Sequence, residues 1–98
     1  MHEPLVINAD HPALPGHFPG QPVVPGVVIL AKVCARLLQV HPDIATSGVR
    51  KLKFTRQLQA GESFTVNFAA IKNGGIRFKC LMAADDSLLA EGHLEIIE

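Results

Sequence analysis

The chain has 98 residues, 48% of them hydrophobic, with nine Lys or Arg set against nine Asp or Glu. That length allows one small domain, residues 1–98, and the apolar share belongs to a globular core and not to a disordered chain. The balanced charge carries no domain-wide basic footprint, so neither nucleic acid nor a membrane surface is an expected partner.

Taken in order, the first four residues lack the basic region and long apolar run of a signal peptide. The apolar run 23–31 is too short to span a bilayer. The expectation is a soluble, cytoplasmic chain. Cys34 and Cys80 lie far apart without metal-ligand spacing and read as free or buried thiols of a reducing compartment. The five histidines show no metal spacing either, so no metal and no cofactor are expected. Leu5-Val6-Ile7 is a short β-branched run that predicts a first strand, broken by Asn8 to Pro12.

Residues 15–26 hold four prolines, three glycines and one histidine, His17. Proline fixes φ and glycine opens φ above zero, so this stretch is a loop of prescribed shape and not a regular element. A shaped loop that carries a histidine and runs into a helix is a place to look for chemistry.

From Gly26 to Val40 the polar residues are Lys32, Arg36 and Gln39, spaced by four and three on one narrow helical stripe. The other faces are apolar, the reverse of a surface helix. The helix is therefore expected to be wrapped on most sides, by a curved sheet alone or by a sheet and a partner chain. His41-Pro42 ends it, because proline disfavours helix at the residue before it.

After Ser47-Gly48 the period changes to two. Val49 to Leu58 predicts a strand with Leu52 and Phe54 on one face and Lys51, Lys53 and Thr55 on the other. Residues 62–71 place Phe64, Val66, Phe68 and Ala70 inward. Asn73-Gly74-Gly75 is a hairpin signal. Residues 76–83 return with Ile76, Phe78, Cys80 and Met82 against Arg77 and Lys79, and 88–97 alternate Ala90, Gly92, Leu94 and Ile96 against Glu91, His93 and Glu95. The layout is α+β: one buried helix and an antiparallel meander that curls about it. A domain this small buries only about 60–65% of its unfolded surface, which favours an oligomer.

The run His17-Phe18-Pro19-Gly20-x-Pro22-Val23-x-Pro25-Gly26-Val27 resembles the active-site loop of the hot-dog-fold 3-hydroxyacyl-acyl-carrier-protein dehydratases of the FabA/FabZ type. Lys51-Leu52-Lys53-Phe54-x-Arg56 and Ala60-Gly61-Glu62 are similar to that family's second strand and following turn. The short form, with Ala9 to His17, is most like the small dehydratases of aryl-polyene pathways. The resemblance covers nearly the whole chain and implies a curved antiparallel sheet around one central helix.

It also implies roles. His17 is the base that removes the substrate α-proton, Val23 supplies the carbonyl that orients the imidazole, and the Gly26 amide binds the thioester carbonyl. Phe18, Pro25, Val27 and Ala31 line the substrate. The implied partner is acyl carrier protein bearing acyl-phosphopantetheine, docked on Arg50, Lys51, Lys53 and Arg56, and the implied assembly is a homodimer or a heterodimer with a related hot-dog subunit. For the basic residues, the plainer alternative is a solvated strand face.

One position departs from the family pattern. Fourteen residues after the histidine, where the family carries an Asp or Glu that protonates the leaving hydroxyl across the subunit interface, this chain has Ala31. Lys32 points about 100° further round the helix, and Cys34 reads as a small core residue. Three functions follow: a dehydratase acting on acyl thioesters in fatty acid or polyene biosynthesis, a non-catalytic or half-site partner of an acid-bearing homologue, or a hot-dog acyl thioesterase.

Overall fold

Pro25 and His41-Pro42 bound a helix, α1, of fifteen residues at Gly26–Val40, as their local sterics predict. The computed structural model describes residues 4–7 and 23–97. Among the described residues five strands stand around α1: β1 Leu5–Val6, β2 Ala45–Phe54, β3 Ser63–Phe68, β4 Gly75–Met82 and β5 Leu88–Ile97. They form one antiparallel sheet in the order β1-β3-β4-β5-β2.

The hairpin between β3 and β4 turns where Asn73-Gly74 requires it. Both residues have positive φ, 54° and 71°, and Lys72 and Gly75 exchange backbone hydrogen bonds of 2.9 and 3.1 Å. The inner faces follow the period of two: Phe64, Val66, Ile76, Phe78, Cys80 and Leu94 are all buried beneath α1. The Phe78 ring lies over Gly92, close enough that a Cβ there would stand 2.7 Å from it. Among the described residues no helix is long and apolar enough to cross a membrane.

Two local expectations are corrected. The β2 strand begins at Ala45 and ends at Phe54, and does not run from Val49 to Leu58. Register shifts at Thr46/Gly48 and Val49/Lys51 let the Ser47-Gly48 segment stay in the sheet as a bulge rather than breaking it. Leu58 leaves the sheet and is buried, its carbonyl accepting from the Val24 amide at 2.8 Å. The inward face of β3 ends at Phe68: Ala69 and Ala70 are exposed, although the Ala69 amide still donates to Arg77 at 2.9 Å.

The covering of α1 bears on function. Among the described residues, α1 is covered on one side only. Val28, Ile29, Val33 and Leu37 are buried, whereas Val27 and Leu38 are 71% and 54% exposed and Ala31 is exposed between them. These three, with half-buried Cys34, fall at spacings of four, three and four, a single stripe along the helix. The sheet wraps the other side of the helix; the stripe stays bare.

Candidate functional site

The start of α1 is built to leave its amides open. Pro25 occupies the N-cap with extended φ and ψ, no side chain caps the helix, and its first turn has no acidic residue. The Pro25 carbonyl takes the Val28 amide at 3.0 Å. A helix start of this kind presents N–H groups and partial positive charge to an oxygen that gains negative charge.

Gly26 is required there by close approach. The Phe54 ring at the end of β2 lies against it, and a Cβ at position 26 would stand 2.8 Å from ring atoms Cε2 and Cζ. Phe54 is the residue that sequence reasoning missed at this site. Its parity puts it on the face of Leu52, but its partner across 28 positions of chain is set by tertiary packing alone.

Val23 forms an antiparallel bridge with Gln59, which fixes the entry of the chain into the helix. Val23 and Pro25 are exposed and Gly26 half-buried. Beside this bridge Arg56, Gln57, Gln59 and Glu62 line an open concavity of about 500 Å³. His17 and Phe18 lie outside the described residues. Val27 and Ala31 stand one turn apart on the bare helical stripe, so the position that lacks an acid faces away from this chain's own core.

The four basic residues expected to dock a partner differ in their surroundings. Lys51 and Lys53 project from the outer face of β2, opposite His93 and Glu91, and neither forms an ion pair among the described residues. Arg50 is drawn away by Glu95 at 3.4 Å. Arg56 is held at the β2 exit by Glu62 at 3.6 Å. The described residues contain no cluster of His, Cys, Asp and Glu able to hold a metal ion.

The two thiols differ in environment. Burial pushes Cys34 up, partly offset by a hydrogen bond with Thr46. Full burial on the inner face of β4 pushes Cys80 up from 9.0 to about 12. The folded state thus binds the Cys80 proton more tightly than the unfolded chain does. That contribution to stability is complete below about pH 9 and is lost as pH rises from 9 toward 12. Native protein at pH 8 is expected to leave Cys80 unmodified by a thiol dye until denaturant is added. Denaturation midpoints followed from pH 8 to 11 are expected to fall more steeply for the natural chain than for Cys80→Ala; equal slopes would exclude this thiol as the cause.

The ApeI-like family model, described as ApeI dehydratase, matches residues 2–93. The FabZ 3-hydroxyacyl-[acyl-carrier-protein] dehydratase of Desulforamulus reducens is 33% identical over 90% of this chain and 69% of that protein. Its counterpart from Natranaerobius thermophilus is 34% identical over the same shares. Among solved structures, the dehydratase heterocomplex ApeI:P from Xenorhabdus doucetiae is similar with a TM-score of 0.79 at 23% identity, covering 97% of this chain and 84% of that one. An uncharacterized protein from Erwinia carotovora subsp. atroseptica gives 0.81 at 20% identity over 98% and 81%. These two likenesses establish the hot-dog fold.

Proposed function

The chain belongs to the ApeI-like dehydratase family, and from that premise we propose that it serves as one hot-dog subunit of a 3-hydroxyacyl-acyl-carrier-protein dehydratase, whose acid comes from a second, related subunit. The observation that carries this is Ala31 on the bare stripe of α1. A group there acts on a neighbouring subunit's substrate or on none.

In this reading His17 takes the α-proton of the 3-hydroxyacyl thioester. Charge moves onto the thioester carbonyl oxygen, which the Gly26 amide at the start of α1 receives. The carbon–oxygen bond at the β-carbon then breaks, and the hydroxyl leaves as water once an acid has protonated it. The products are an enoyl thioester and water. Alanine has no proton to give, so two copies of this chain make two sites that each lack the acid. Pairing with an acid-bearing homologue completes the site that contains His17, one per heterodimer. A dehydratase heterocomplex among the structural neighbours supports that pairing. Lys51 and Lys53 suit an acidic carrier protein, since Lys53 is adjacent in β2 to Phe54, whose ring lies against Gly26.

Co-expression with an acid-bearing dehydratase homologue, followed by mass spectrometry of a 3-hydroxyacyl thioester, tests this. The mixed complex is expected to release water at least about 10²-fold faster than this chain alone, and His17→Ala in this chain should remove that gain. A mixed complex whose rate ignores His17→Ala overturns the proposal, as does release of free thiol in place of water.

A further inference from the structure

A second gathering of polar side chains lies on the outer face of the sheet. It is on the face opposite α1 and at the other end of the β2–β5 ladder: Gly48 pairs with Glu95, whereas Phe54, beside the helix start, pairs with Ala90. Along β5, His93 and Glu95 stand three and five residues from Ala90, about 10 and 17 Å.

Register places Arg77 of β4 next to His93 of β5. Arg50 sits at the β2 register shift between Val49 and Lys51. Released from regular alternation, its side chain crosses β5 to reach the β3–β4 turn. Its Nε lies 3.4 Å from Glu95 Oε1, its Nη1 3.5 Å from His93 Nε2, and its Nη2 donates to the Asn73 carbonyl at 3.1 Å. Gly75 makes the room: a Cβ there would run into His93 Nε2 and stand 2.9 Å from Arg50 Nη1. A merely solvated cation would extend into water. This one is held in place by three separate contacts over a residue without a side chain.

Arg50, Lys72, Arg77 and His93 thereby border an open concavity of about 480 Å³, with Ala69, Ala70 and Ile71 on its apolar side. Among the described residues neither Lys72 nor Arg77 is in an ion pair, and Glu95 answers Arg50. Three cations less one carboxylate leave a local charge of +2. Arginine forks and a lysine suit the oxygens of a phosphate, and a charge of +2 matches its dianion better than a carboxylate.

We infer that this concavity binds the dianionic phosphate of a phosphomonoester whose short apolar body lies along Ala69 to Ile71. The site is separate from the dehydratase chemistry and does not rest on it.

The test is a titration of the full chain, or of its complex, with hexyl phosphate, inorganic phosphate, hexanoate and sodium chloride at matched ionic strength, followed by nuclear magnetic resonance. Hexyl phosphate is expected to shift Asn73, Gly75 and the His93 ring saturably, at least tenfold more tightly than inorganic phosphate or hexanoate. Arg77→Ala, at an exposed position, should weaken it at least tenfold with the melting temperature unchanged. Lys79→Ala, on the same face but outside this concavity, should leave it intact. Shifts that follow ionic strength alone, equal affinity for hexanoate, indifference to Arg77→Ala or equal loss in Lys79→Ala would each overturn the site.

Discussion

Replacing Ala31 with aspartate or glutamate is expected to raise the dehydratase rate of this chain on its own by about 10²–10⁴-fold, the usual worth of a positioned general acid. The position allows it. Ala31 lies in the second turn of α1, exposed, between Val27 and Leu38 on the stripe that the chain's own sheet leaves bare. A longer side chain there displaces no core residue. The propensity cost of changing alanine to an acidic residue within a helix is at most about 0.7 kcal/mol, so the fold should tolerate it. With the acid restored, each site of a homodimer would hold a base from one copy and an acid from the other. The gain should fall on kcat, since the acid acts on a leaving group that takes its proton only as the bond breaks. Glutamate reaches one methylene further than aspartate, and the better of the two reports the distance to the substrate hydroxyl. An intact dimer whose rate stays at the level of the natural chain would mean that the site has been rebuilt for other chemistry.

Leu38→Asp is expected to abolish subunit pairing at micromolar concentrations. Leu38 is 54% exposed and Val27 71%, while Val49, Leu52 and Phe54 of β2 are 45%, 36% and 38% exposed. An apolar helical stripe and an apolar strand exposed on one chain are what the proposed pairing would cover. β2 also ends the sheet with an unpaired row of backbone donors and acceptors, among the described residues, that a second chain can meet. Within the single chain Leu38 touches water, so a carboxylate there costs little. In the pair it would be buried without a partner, which costs several kcal/mol. About 4 kcal/mol corresponds to a thousandfold weaker dissociation constant. Sedimentation should show monomer with the natural circular dichroism; an undisturbed dimer would place the interface elsewhere. The same substitution is expected to remove activity from the mixed complex, because the site is then divided between separated chains.

The two substitutions separate chemistry from assembly, and each acts on a feature that neighbouring residues announce only in part. The spacing of Lys32, Arg36 and Gln39 discloses a helix too apolar for a surface. It does not say which apolar residues the sheet covers. Only the packed sheet separates Val28, Ile29, Val33 and Leu37, which it buries, from Val27, Ala31 and Leu38, which it does not.

What the sequence determined by itself is what nearest neighbours control. Proline and glycine sterics set both ends of α1, positive φ at Asn73-Gly74 set the hairpin, and the period of two assigned the inner faces of β4 and β5. The loop motif and the alanine at position 31 were legible in the same way, because they are short runs read in order. Tertiary structure alone decided the rest: the bulges that carry β2 through Ser47-Gly48, the Phe54 ring over Gly26, and Arg50 and His93 meeting over Gly75. Each of these depends on strand register, which joins residues tens of positions apart. Register is chosen by the packing of the whole sheet against the helix, and no local stretch of chain contains it.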